Sequence, residues 1–353
     1  MGYQCLAAAG KKERTYMIGV LVTEGAESYF HSAVILAARR YFLQRGYDLV
    51  LLSPSTFSSE DRKTSGRDAV PKHTEVPAGD AAPKRPGVLA RGRFLGLDGI
   101  LLFSAVGENE MLHFQEYRDI WELALGEIPV VTVDCCIASR GSVQPADEEG
   151  IEQLLREVYR RGHRRIAFLY GDKDAHKWEK AIYMAVHDLR LNVPRSYACC
   201  VPSESAAEAY ERARSLLQGA RWFLPTCMVF GDDCILQGGA AAVRSLGMRI
   251  PDQISIAAMC YSNLPGYVEN GLTCWDLSPD RIVQEAAELL LREIAFPGTT
   301  SRQVRRVEGV LREGETLKTL SKQNRPDGTA LSVYSPLPET NGASHPDEKS
   351  PLP

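Results

Sequence analysis

Apolar and polar positions alternate along this chain in two distinct rhythms. Short apolar runs recur at Met17–Val22, Asp48–Ser53, Leu97–Ser104 and Ile128–Val133, then at Arg165–Tyr170, Tyr197–Val201, Cys227–Phe230 and Ile254–Met259. Runs without polar alternation predict strands covered on both faces, as in a parallel sheet. Between them lie stretches with helical spacing. Phe30, Val34, Ala37, Ala38 and Tyr41 share one helical face, and Gly46 supplies the stop. Asp147–Arg161 turns Ile151, Leu154, Leu155 and Val158 to one side and ends at Gly162. Further helices are predicted at Glu108–Leu125, Lys177–Leu189, Ala206–Leu217 (capped by Ser203 or Ser205), Leu236–Leu246 and Asp280–Ile294, with Val304–Leu311 as a closing strand.

Strand–helix alternation of this kind predicts an α/β fold with helices on both faces of parallel sheets. The rhythm restarts midway, which favours two doubly wound lobes over one large sheet. Two segments break it. The polar stretch from Pro54 to Pro86 predicts a flexible surface loop. From Lys322 onward the chain holds six of its 20 prolines and little apolar material, which predicts a disordered tail over 321–353.

Composition narrows the function. Lys and Arg number 41 against 45 Asp and Glu, a net charge of −4, so a core this close to neutral is a poor non-specific polyanion binder. No apolar run is long enough to span a membrane. The start places Lys11-Lys12 after a short Leu6–Gly10 apolar patch, the reverse of a secretory signal. A cytoplasmic protein without membrane contact is expected. The nine cysteines show no C-x-x-C spacing and are expected to be reduced, with no metal site and no disulfide framework.

The stretch Pro225–Pro279, "PTCMVFGDDCILQGGAAAVRSLGMRIPDQISIAAMCYSNLPGYVENGLTCWDLSP", resembles the effector-binding core of LacI/GalR-family transcription regulators, which shares its fold with type I periplasmic sugar-binding proteins. "IGVLVTEGAESYF" (Ile18–Phe30), "RGYDLVLLS" (Arg45–Ser53), "LDGILLFS" (Leu97–Ser104) and "IPVVTVD" (Ile128–Asp134) are similar to the family's first four strands. "DEEGIEQLLREVYRRGHRRIAFLYG" (Asp147–Gly171) matches the crossover helix and the strand opening the second lobe, and "VLREGETL" (Val310–Leu317) the closing strand. Together they cover roughly Tyr16 to Lys318. The Pro54–Pro86 loop is longer than the family usually carries. The resemblance implies an N-terminal lobe of residues 16–162 plus 276–296, with 54–86 as an insertion, and a C-terminal lobe of 163–275 plus 303–320.

The family places a helix-turn-helix headpiece and a hinge helix before this core. Met1-Gly2-Tyr3 and Leu6–Gly10 fit the end of such a headpiece and a shortened hinge, so residues 1–15 are read as a residual headpiece segment. Either the start is internal to a longer gene product or the core stands alone. In both cases the helix that reads base edges is absent from this chain, and operator DNA would be reached only through a missing headpiece.

The family's ligand sits between the lobes, at the carboxyl ends of the strands. The resemblance carries ligand-binding candidates onto six positions. Tyr29 and Phe30 match an aromatic pair after the first strand, either stacking on a ligand or packing the first helix, with Phe30 serving the core. Ser104 is either a polar ligand contact or a strand-end turn residue. Asp232 is either a hydroxyl acceptor or a helix N-cap, a role Asp233 could share. Trp178 stands where the family often has Arg, and Cys260 where it often has Asp; Ala146 replaces another frequent Asp. These departures remove much of the hydroxyl-pairing chemistry and imply an atypical, less polar or differently shaped effector.

No catalytic constellation is visible. The seven histidines form no metal-like pair, and His163 in "RRGHRRIAF" reads as structural. Glycine-rich phosphate motifs are absent. The basic runs Arg160–Arg165 and Lys84–Arg93 read as solvated faces. No cofactor is expected. The implied function is ligand sensing by a homodimeric transcriptional regulator. The alternative is a stand-alone small-molecule, sugar-like binding protein without DNA binding.

Overall fold

A computed structural model describes residues 14–22, 29–52, 96–103, 128–137, 140–189, 191, 193–203, 205–220, 223–260 and 271–321. The expected headpiece segment up to residue 13, the 54–86 loop, the 108–125 helix, the second basic run and the tail from residue 322 lie outside them.

The first sheet comprises β1 (Met17–Val22), β2 (Asp48–Leu52), β3 (Gly99–Phe103), β4 (Val130–Val133), β5 (Gly141–Pro145) and β11 (Val304–Val307), in the order β11-β5-β4-β3-β1-β2. Every neighbouring pair in it is parallel. The second comprises β6 (Ile166–Gly171), β7 (Ala198–Val201), β8 (Cys227–Phe230), β9 (Ser255–Cys260), β10 (Cys274–Asp276) and β12 (Val310–Arg312), in the order β12-β10-β9-β8-β6-β7. Here only β10 and β12 run antiparallel. The two orders repeat one doubly wound pattern, as the α/β expectation required.

The helices are α1 (Tyr29–Leu43), α2 (Asp147–Arg160), α3 (Ala175–Asp188), α4 (Ala206–Gly219), α5 (Asp233–Ser245) and α6 (Pro279–Ala295). The apolar side of α2 is buried as its spacing predicts, through Ile151, Leu154, Leu155 and Val158. Each such side chain removed from water contributes roughly 1.5–3 kcal/mol before entropy is counted. Ser205, rather than Ser203, caps α4 by accepting from the Glu208 amide at 3.3 Å. Helix α6 lies so close to β3 that a Cβ on Gly99 would stand 2.9 Å from Leu290 Cδ1.

Four features depart from the sequence reading. Strands β5 and β10 were not anticipated: Gly-Ser-Val-Gln-Pro and Cys-Trp-Asp carry little strand signal, and neighbouring strands impose their conformation. The single closing strand Val304–Leu311 is two, β11 and β12, which join different sheets. Helix α2, placed with the first lobe up to residue 162, packs against β9, β10 and β12 of the second sheet. Finally, the run Arg160–Arg165 is only partly solvated. Arg161 is 15% exposed at its side chain and donates to Glu157 Oε1 at 2.6 Å and to the Leu317 carbonyl at 2.8 Å, tying α2 to the end of the core. The Arg164 guanidinium lies 3.5 Å from the centre of the Tyr159 ring.

Among the described residues the chain passes between the sheets three times: from β5 to α2, from β10 to α6 and from β11 to β12. Among the described residues no helix is long and apolar enough to cross a membrane.

Candidate functional site

Residues that follow β4 and β5 of the first sheet meet residues that follow β6 of the second. Asp134 comes directly after β4, with a left-handed φ of 60°. Its amide donates to the Val143 carbonyl at 3.0 Å, which holds it beside the end of β5. Asp147 opens α2 just beyond β5 and is 7% exposed. Lys177, on the first turn of α3 after β6, donates to Asp147 Oδ2 at 2.9 Å and pairs with Asp174 Oδ1 at 3.0 Å. Asp147 Oδ1 is buried and has no hydrogen-bond partner among the described residues.

Two carboxylates thus share one ammonium, and Asp134 lies within its electrostatic reach. Burial, and then the charge of Asp147, pushes the Asp134 carboxyl up to about 8, against the pull of Lys177. Burial also raises Asp147, with Lys177 opposing. Burial alone would lower Lys177, but the charges of Asp147, Asp174 and Asp134 outweigh it and hold the ammonium above its usual range. Chemically, this is a buried polar cluster with an unpartnered carboxylate oxygen, able to accept a hydrogen bond.

The six sequence candidates are distributed around this centre unequally. Strand order reverses between β6 and β8, so the segments after them flank a crevice. Asp232 sits there after β8, and its Oδ1 accepts from the Ile235 amide at 2.7 Å; of the two roles left open for it, N-capping of α5 is realised. Trp178 is 2% exposed and stacks on Tyr170 with ring centres 6.0 Å apart, inside the core instead of at the crevice surface. Cys260 ends β9 at 2% exposure, and its carbonyl accepts the Leu277 amide at 3.0 Å. Its thiol is raised by a hydrogen bond with Cys274 and by burial. Tyr29 and Phe30 form the first turn of α1 after β1. Ser104 lies outside the described residues, one position beyond β3.

Asp134, Asp147, Asp174 and Lys177 escaped the sequence reading. The only signal was positional: acids directly following apolar runs or opening a helix. Nothing in their spacing shows that they converge.

The chain crossings near this centre are braced. Trp275 on β10 is 3% exposed and lies against both Gly150 of α2 and Gly309 between β11 and β12. Asp276 pairs with Arg312 and accepts the Ser278 amide at 2.8 Å. Arg306 on β11 reaches Glu149 on α2 at 2.7 Å.

Two lobes, each a doubly wound sheet, joined by three crossings with polar groups facing one another at the strand ends, define a periplasmic-binding-protein-like domain. A family model described as periplasmic binding protein-like domain matches residues 155–317. The HTH-type transcriptional repressor PurR of Escherichia coli O1:K1 is 24% identical over 300 residues, covering 82% of this chain and 76% of the repressor. The PurR of Shigella dysenteriae serotype 1 matches to the same extent. In fold, a LacI family transcriptional regulator from Enterococcus faecium with bound ribose superposes with a TM-score of 0.64 at 18% identity, covering 86% of this chain and 100% of the regulator. The lac repressor dimer bound to operator and the anti-inducer ONPF gives 0.62 at 15% identity, covering 87% and 95%. The chain has the fold of these regulators' cores, and its residues 155–317 match the periplasmic binding protein-like domain.

Proposed function

We propose that this chain is the ligand-sensing core of a homodimeric, cytoplasmic transcriptional regulator that binds a small effector between its lobes and so modulates operator binding. The observation that carries the reading is the meeting of the β4, β5 and β6 ends across two sheets linked by three braced crossings. A molecule lodged there touches both lobes and stabilises one relative orientation of them. It biases the equilibrium only by its differential affinity for the two arrangements, typically ~1–3 kcal/mol of coupling. The relatives are transcription regulators, which supports a sensing role over a catalytic one. Asp134, Asp147 and Lys177 are the proposed polar contacts. Asp232, Tyr29, Phe30 and Ser104 are assigned to the crevice around them, with Trp178 and Cys260 supporting it from behind.

Small-angle scattering of the core across a panel of sugars and nucleobases tests the reading. A ligand that binds should reduce the radius of gyration, and sedimentation should give a dimer. Joined to a relative's helix-turn-helix headpiece, the core should make operator affinity ligand-dependent. A monomer with no ligand response, or a chimera indifferent to a ligand that binds, would overturn it.

A further inference from the structure

The first sheet is parallel throughout, so its strands all start at one end of the lobe. The chain enters β1 at that end, and α1 and α6 run back to it. Steps of ~4.8 Å between neighbouring strands spread it over roughly 24 Å. Arginines punctuate it: Arg14 before β1, Arg45 before β2, Arg140 before β5, Arg292 on the last turn of α6 and Arg302 before β11. The carboxylates at this end, among the described residues, are Asp48, Asp98 and Glu293, and only Asp48 is exposed. Asp98 accepts from the Thr15 and Tyr16 amides at 3.1 and 2.8 Å. Glu293 accepts from the Gly298 and Thr300 amides at 2.6 and 2.8 Å and lies within electrostatic reach of Arg140. The other four arginines are exposed, and none forms an ion pair among the described residues. Arg45 is fixed against Tyr41, 3.6 Å from the ring centre, which reduces the entropy it loses on contact. The adjoining sequence adds Lys11, Lys12 and Arg93 against Glu13 and Glu127.

We propose that this end of the first lobe is a docking surface for the phosphate backbone of duplex nucleic acid. Averaged over the chain, a net charge of −4 argues against a polyanion; its distribution does not. A cationic end on an acidic body orients a polyanion toward that end. Guanidinium groups stay charged at any working pH and offer paired donors to phosphate oxygens. A duplex carries one phosphate per ~1.7 Å of axis, about 14 over roughly 24 Å, so dispersed arginines each meet one. A small anion would engage one or two of them. An acidic protein is the rival occupant, because Tyr16, Leu43 and Phe296 are exposed at the same end. The spread of the arginines across the sheet favours the duplex. Phosphate contacts position without reading sequence, so this surface supplies affinity alone. It lies at the opposite ends of the strands from the proposed sensing crevice and stands or falls separately from it.

Fluorescence anisotropy of the full chain with a labelled duplex of arbitrary sequence, about 30 base pairs long, tests this at salt rising from about 50 mM. Binding should weaken with a log–log salt slope near −3, the counterion release of about three or four phosphate contacts. The double variant Arg14→Glu, Arg302→Glu alters exposed residues outside every helix and strand, so its melting temperature should match the parent's. It should bind about tenfold or more weakly, with the slope flattened by about 2. Arg249→Glu, an exposed change on the second lobe, should leave affinity and slope as they were. The duplex should also outcompete polyglutamate of equal total charge. No binding at about 50 mM salt, binding that survives the double variant, or polyglutamate bound as tightly as the duplex would each overturn the proposal.

Discussion

The indole of Trp275 fills the space that a side chain on Gly150 would need: a Cβ there would stand 2.5 Å from Trp275 Cδ1. The same ring limits Gly309, whose Cβ would lie 2.8 Å from Trp275 Cε2. One aromatic residue of β10 therefore packs against the helix after the first crossing and against the link forming the third.

Gly150→Ala sets two effects against each other. Alanine in a helix interior gains about 1 kcal/mol over glycine, while overpacking a filled site costs about 1–3 kcal/mol. Because the obstacle is a buried ring wedged on two sides, the clash should win, with a net loss of up to about 2 kcal/mol in urea denaturation. A gain in stability would show that the ring moves aside freely.

Lys177→Met should be far more damaging than a surface charge loss. The side chains of Lys177 and Asp147 are 20% and 9% exposed, and removing the cation strands a buried carboxylate. Breaking one side of such a pair costs about 3–5 kcal/mol, and replacing both sides with apolar groups restores much of it. The double variant Lys177→Met, Asp147→Leu should therefore be more stable than the single one. A double-mutant cycle in chemical denaturation measures this.

His163 predicts a pH dependence. It is completely buried; its Nε2 faces the Lys318 carbonyl at 3.0 Å and its Nδ1 the Thr226 hydroxyl at 2.9 Å. A carbonyl only accepts, so Nε2 carries the proton of the neutral ring. Burial depresses the group to about 4 from its ordinary 6.5. As pH falls, the unfolded chain takes the proton first. Stability from this group is whole above about 6.5 and drains away toward about 4, a loss of roughly 3 kcal/mol. His163→Gln should flatten that limb of a stability–pH profile.

Asp134 tilts the profile the other way. With its carboxyl raised to about 8, the folded state keeps a proton that the unfolded state gives up near pH 4. Stability from this group therefore falls as pH rises from about 4 to about 8. The two slopes oppose each other between about 4 and 6.5, so each is read from its own variant. Asp134→Asn should gain stability relative to the parent as pH rises through that upper range, measured by thermal melting.

Much of the fold was legible in the chain. The apolar runs at Met17–Val22 and Cys227–Phe230 are strands, as is Gly99–Phe103 within the predicted Leu97–Ser104, and the stripe Ile151, Leu154, Leu155 and Val158 is buried, because covering both faces of a sheet or one face of a helix demands those periods. Gly46, Gly162 and Gly247 all take positive φ, as the helix stops required. These are local requirements, and local sequence states them.

What the chain alone could not show is where separate elements meet. The Cys-Trp-Asp of β10 is a strand only because Ala258–Cys260 and Val310–Arg312 pair with it from either side. The split of Val304–Leu311 depends on which sheet edge each half reaches. Asp134, Asp147, Asp174 and Lys177 come from three segments whose spacing encodes no contact, and their shared charge exists only once the two lobes are joined. Periodicity, caps and turns follow from interactions within a few residues, and the sequence by itself determines them. The convergence of charges on one buried site is decided by long-range packing, and so belongs to the tertiary structure.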